Sequence, residues 1–155
     1  MPEKFAVIDG FPDYSDYVCV NWDDCKAAQE KDLIGTYNAT VCLVTTLYDP
    51  SKKRGVLSHI KGVKGIIEHE GINPEDLLPE NVIDAMLRLM DVNKADYKGL
   101  EASLAGETKG QISPIVRKRI NNYGIRLIGE DLGKAHPRWV FLHCDSGMVE
   151  VYRCG

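Results

Sequence analysis

Apolar and polar residues alternate along this chain in short blocks, and the period of each block predicts its structure. Phe5-Ala6-Val7-Ile8 reads as a strand broken by the turn signals Asp9-Gly10-Phe11-Pro12-Asp13. Residues 17–22 alternate weakly and predict a second strand, whereas the polar run 23–31 predicts a loop or a single helical turn. Residues 33–48 are rich in β-branched side chains, with Gly35 and Asn38 marking a turn or bulge inside an otherwise strand-forming stretch. Within it, the apolar run 41–48 is followed by a polar turn opened by Asp49-Pro50, then by a second apolar run from Gly55 to Ile60. Two such runs around a turn predict a hairpin.

The pattern changes period in the second half. Residues 61–71 carry three glycines among apolar positions and read as a loop or short helix, with His69 on an exposed, charged surface between Glu68 and Glu70. Asn73-Pro74-Glu75-Asp76 is a helix start, and Val82, Met86, Leu89 and Met90 recur at helical spacing, so one or two helices follow and turn their methionines into the core. Residues 100–106 predict a strand. Ser113-Pro114 opens a second helix that ends at Asn121-Asn122-Tyr123-Gly124 with basic residues in its last turns, as the helix dipole favours. Strands at 125–131, 138–144 and 148–153 complete the chain, the last two as a hairpin around Asp145-Ser146-Gly147. In that hairpin His143 and Cys144 are adjacent and so point to opposite faces; both read as structural.

The hairpin of residues 41–60 carries the candidate chemistry, with Cys42 on one arm and His59 on the other. An imidazole accepts a thiol proton near neutral pH, and the resulting thiolate is a strong nucleophile. The catalytic reading demands that both side chains share one face of the sheet, on a cross-strand diagonal or at a bulge, because a slip of one residue separates them. An activated Cys42 is then expected to be alkylated by iodoacetamide well below pH 8.

Composition narrows the alternatives. The 155 residues suit a single domain spanning 1–155, and 44% hydrophobic with 27% charged residues argues against disorder. A formal charge of -4 gives no reason to expect nucleic acid, and Lys52-Lys53-Arg54 reads as a solvated turn. No apolar run is long enough to insert in a membrane and no leader is evident, so the expected compartment is the cytoplasm. The five cysteines are odd in number and irregularly spaced, which fits reduced thiols. Cys19 and Cys25 lack a matching second pair for a metal, and the phosphate-loop pattern is absent, so neither metal nor cofactor is expected.

The run Thr36…Cys42…Asp49-Pro50…Gly55…His59 resembles the active-site stretch of CheD, the bacterial chemoreceptor glutamine deamidases. A second block, Tyr123-Gly124-Ile125-Arg126-Leu127-Ile128-Gly129-Glu130-Asp131-Leu132-Gly133 followed by Arg138 and a hairpin at Gly147, is similar to the family's C-terminal segment. The resemblance implies an α/β fold, a layered sandwich of mixed or antiparallel sheet with two main helices. It also implies a cysteine-dependent deamidation of protein glutamine through a thioester, with Cys42 as nucleophile, His59 as general base and Thr36 orienting the imidazole. Glutamine-deamidating bacterial toxins are similar in the same site. The implied partners are a protein with an exposed glutamine, chemoreceptor-like or another signalling protein, and a regulatory phosphatase. A catalytically silent relative that only binds such partners is the alternative. Where the family carries Leu-Gly-Ser before the cysteine, this chain has Ala39-Thr40-Val41, two of them stiff β-branched residues.

Overall fold

The computed structural model describes residues 3–64 and 72–155, so the reading of His69 lies outside the described residues. Ten strands and two α-helices follow in the order β1 (Phe5–Asp9), β2 (Val18–Cys19), β3 (Asp24–Gln29), β4 (Leu33–Ala39), β5 (Leu43–Asp49) and β6 (Arg54–Ile60), then α1 (Val82–Met90), β7 (Glu101–Gly106), α2 (Ser113–Asn122), β8 (Arg126–Leu132), β9 (Arg138–His143) and β10 (Val149–Arg153). Short 3-10 turns at Pro74–Leu77 and Lys94–Gly99 flank α1.

The strands form two mixed sheets of five, ordered β1-β10-β9-β4-β2 and β3-β6-β5-β7-β8. This is the layered α/β sandwich that the family resemblance implies. One core, built from Ile34, Val44, Leu57, Val140, Leu142 and Val151, fills the space between the sheets. The other lies between the second sheet and the helices, where Leu47, Val56 and Ile60 meet Ile83, Met86, Met90, Val116 and Ile120. Because β5 and β6 are covered on both faces, every residue of β5 is buried, which explains a run of apolar residues where a half-exposed strand would alternate. Met86 and Met90 are fully buried, the core role their spacing predicts.

The polar run 23–31 contains a strand, β3, rather than a loop or helical turn. It pairs antiparallel with β6 from Asp24↔His59 to Gln29↔Arg54. Its weak apolar pattern has a tertiary cause: Cys25 packs into the helix-side core and Ala28 into the inter-sheet core, and small side chains suffice at both places. The second strand is only two residues long, and just beyond it Val20 N–H still donates to the Gly35 carbonyl of β4 at 2.8 Å.

The loop after β7 is organised by Glu107. Its buried carboxylate accepts the backbone N–H of Ser113 at 2.8 Å and that of Ile112, capping the first turn of α2, where the helix dipole favours an anion. The loop before β9 is held in a similar way. The fully buried Arg138 donates through Nε to Asp131 at 2.8 Å and through Nη1 to the carbonyl of His136 at 3.2 Å, and Arg153 closes on the same carboxylate. The Glu-Asp…Arg signature therefore works as a buried ion-pair clamp between β8, β9 and β10.

Candidate functional site

Alternation along β6 decides where His59 points. Val56 and Ile60 belong to the helix-side core, and Ser58 Oγ lies 3.3 Å from Met86 Sδ on the same side, so Leu57 and His59 face the space between the sheets. Thr36 comes from the opposite sheet, on β4, and its side chain is fully buried against the imidazole. Thr36 Oγ1 is 2.8 Å from His59 Nδ1 and 2.6 Å from the carbonyl oxygen of Val20. A hydroxyl carries one proton, and a carbonyl oxygen only accepts. The threonine proton therefore goes to Val20, and Nδ1 must be the protonated ring nitrogen that donates to Thr36. This fixes the tautomer: Nε2 carries the lone pair, and it is buried without a hydrogen-bond partner.

Cys42 sits just outside β5, in the crossing from one sheet to the other, rather than on the strand as the apolar run 41–48 suggested. The β5–β7 ladder ends at Leu43↔Gly106, and beyond it residues 40–42 bridge the gap between the layers. Thr40 and Cys42 are held by the loop that follows β7: Glu107 N–H donates to the Cys42 carbonyl at 2.8 Å, and Thr108 donates to the Thr40 carbonyl through its N–H at 3.1 Å and its hydroxyl at 2.9 Å. Val44 is directly opposite His59 and the paired register stops at Leu43↔Ile60, so Cys42 lies one residue beyond the ladder, near its cross-strand diagonal from His59. The thiol is half-buried, and Val41 beside it is 62% exposed, so the bulky replacement before the cysteine turns outward.

Gly106 is required by this arrangement. Its φ is +100°, and a Cβ there would stand 2.4 Å from the Cys42 carbonyl oxygen. Gly106→Ala is expected to cost about 2 kcal/mol, through backbone strain and displacement of that carbonyl. Chemical denaturation of the variant checks this.

Burial sets the resting electrostatics. It lowers the His59 pKa from 6.5 to about 4, with no charged neighbour opposing it. Burial also pushes the Cys42 thiol up; the Lys61 ammonium works against that rise and the Asp23 carboxylate adds to it. At neutral pH both groups are uncharged. The imidazole at rest is therefore a free proton acceptor rather than an imidazolium.

Thr36 and His59 are thus brought into direct contact, whereas His59 Nε2 has no hydrogen-bond partner, Cys42 included. Three contributors escaped the sequence reading. The Val20 carbonyl is backbone and leaves no residue signal; Lys61 was readable, because extending the hairpin register places it across from Cys42; Glu107 was hidden in a loop without regular pattern. His143 faces away on the outer side of its sheet, with Nε2 2.6 Å from Glu150 Oε1 and Tyr14 OH donating to the same oxygen at 2.6 Å. All five thiols are free, with Cys25, Cys144 and Cys154 buried. Among the described residues no group of three His, Cys, Asp or Glu is placed to hold a metal, and no helix is long and apolar enough to cross a membrane.

Fold and site together define a two-sheet α/β sandwich with a threonine-oriented histidine between its sheets. The chain is similar to curated proteins named CheD. It is 26% identical over 154 residues to the "Probable chemoreceptor glutamine deamidase CheD" of Clostridium novyi, covering 90% of this chain and 94% of that one. A second relative, "Probable chemoreceptor glutamine deamidase CheD 2" of Ruegeria, is 27% identical over 86 residues, which are 46% of this chain and 48% of its own. The "Probable chemoreceptor glutamine deamidase CheD" of Archaeoglobus fulgidus is 24% identical over 123 residues, covering 71% of this chain and 76% of that one. No family model matches the chain. A crystal structure of the hypothetical protein YfiH from Bacillus licheniformis aligns with a TM-score of 0.45 and 10% identity, over 84% of this chain and 64% of that one, too distant to inform the site.

Proposed function

We propose that this protein is a cysteine-dependent protein glutamine deamidase in which Cys42 is the nucleophile, His59 the general acid and base, and Thr36 the residue that orients the imidazole. The observation that carries the reading is the hydrogen-bond relay from Nδ1–H to Thr36 Oγ1 and on to the Val20 carbonyl, which leaves the Nε2 lone pair free to accept a proton. The names of the relatives support a chemoreceptor glutamine as the substrate.

In this mechanism Nε2 takes the thiol proton as sulfur bonds to the carboxamide carbon, giving a tetrahedral oxyanion. The imidazolium returns that proton to the amide nitrogen, the C–N bond breaks, and ammonia leaves a thioester. Nε2 then deprotonates a water that attacks the thioester carbon; the C–S bond breaks, the proton returns to sulfur, and the product is glutamate. A group with a depressed pKa holds its proton only transiently, so the imidazolium is well suited to pass it on to the leaving amine.

The second reading, a silent relative that binds a receptor or a signalling phosphatase, is favoured by the uncharged resting state of both groups. Alkylation separates the two. Under the deamidase reading iodoacetamide labels Cys42 ahead of the buried Cys25, Cys144 and Cys154, with a rate that climbs as pH rises because the thiol is pushed up. His59→Ala then slows labelling of Cys42 about ten-fold at neutral pH while leaving Cys19 unchanged. Equal labelling of all five thiols by peptide mass mapping would sink the enzyme reading.

A further inference from the structure

A cleft of about 290 Å³ opens beside Cys42, lined by Val41, Lys61, Glu107, Lys109, Gln111 and Ile112. Its walls are tied to the cysteine. Val41 precedes it in the chain, Glu107 N–H donates to its carbonyl at 2.8 Å, and Lys61, which follows the last residue of β6, has its ammonium close enough to act on the Cys42 thiol.

The charge inside the cleft is one-sided. Glu107 is the one acid among the lining residues, and its carboxylate is buried and occupied by the N–H groups of Ile112 and Ser113. It therefore faces the helix rather than the two ammonium groups. Lys61 has Asp23 at 3.8 Å, at the outer limit of an ion pair and longer than a charge-assisted hydrogen bond, and Lys109 is exposed. Two cations gathered at one cleft stand out in a chain whose formal charge is -4. Val41 and Ile112 add apolar wall, so the cleft suits an acidic side chain with a methylene stem better than a free inorganic anion.

We infer that this cleft reads the residue neighbouring the substrate glutamine, and that Lys61 and Lys109 select a glutamine flanked by a carboxylate side chain over one flanked by a basic one. The inference rests on the deamidase reading of Cys42. It adds a specificity determinant outside the three residues of the chemistry, and it assigns the exposed Lys109 a positioning role. The carboxylate seats against two ammonium groups while the neighbouring carboxamide presents its carbon to sulfur.

The test uses two peptides that share a central glutamine and differ only in having glutamate or lysine around it. Binding is read by fluorescence anisotropy on the full chain carrying Cys42→Ser, and turnover by mass spectrometry on the unaltered protein. The acidic peptide is expected to bind about five-fold tighter at low ionic strength, with the preference shrinking as salt is added. Lys109→Glu should erase or invert that preference. Equal affinity for the two peptides, or a preference untouched by Lys109→Glu, overturns the inference. Charge-selective binding without turnover of either peptide keeps the cleft assignment and removes the deamidase reading. Turnover of both peptides at the same kcat/KM does the reverse.

Discussion

Cys42→Ala should abolish conversion of a receptor glutamine to glutamate, and His59→Ala should lower kcat by about 10²- to 10⁴-fold, the range expected for removing a general acid and base. Both follow from the same geometry. Burial holds the Cys42 thiol above its ordinary value, so at neutral pH it needs a base to become a nucleophile, and His59 with its free Nε2 is the proposed one. Thr36→Val keeps the shape and removes the relay. It leaves Nδ1–H and the Val20 carbonyl without their shared partner in a buried place, and it frees the ring to adopt the other tautomer, in which Nε2 is protonated and useless as a base. A loss of about ten-fold in kcat with little change in KM is expected, and Thr36→Ser should restore it. The assay is the mass gain of a candidate chemoreceptor peptide, with Cys42→Ala as the blank. Near-normal turnover by His59→Ala would exclude this chemistry.

Acid should destabilise the protein through the same histidine. Its folded pKa, about 4, lies below the ordinary value of 6.5, so the unfolded chain binds the proton more tightly. The stability that depends on neutral His59 is fully present above pH 6.5 and is lost as pH falls from 6.5 toward 4, by about 3 kcal/mol in all. The protonated ring cannot be satisfied where it sits, since Thr36 already accepts at Nδ1 and Nε2 has no partner. The carboxylates behave differently. Burial raises Asp131 but the hydrogen bonds from Arg153 and Arg138 outweigh it and leave its pKa lowered, so its contribution disappears only at more acid pH than the ordinary carboxylate value. Urea denaturation between pH 7 and pH 4 should therefore show a slope that His59→Asn flattens in this window. A wild-type stability that does not change between those pH values would contradict the buried neutral imidazole.

Much of this candidate site is legible in the sequence. Cys42 and His59 stand out because an apolar strand-forming run carrying a thiol is paired, through an Asp-Pro turn, with one ending in an imidazole; local pattern suffices to predict the hairpin, and pairing from Leu43↔Ile60 to Asp49↔Arg54 bears it out. The helix from Ser113 is likewise readable, from its proline and its basic C-terminal turn. β3 was not. Residues 24–29 are polar and small because they are edge residues matched to a partner strand, and that partner is some thirty residues away in sequence.

The residue order carries local information: the strand and helix periods, the turn chemistry, and a thiol and an imidazole on the two arms of one hairpin. Tertiary structure alone decided that Thr36, on one sheet, meets His59, on the other, and that the Val20 carbonyl consumes the threonine proton and so fixes the imidazole tautomer. It also decided that Cys42 leaves its strand to cross between the layers under the grip of Glu107. The physical reason is the same in each case. These contacts join groups from different sheets and a backbone carbonyl, and the alternation of a single strand carries no record of what the facing sheet presents to it.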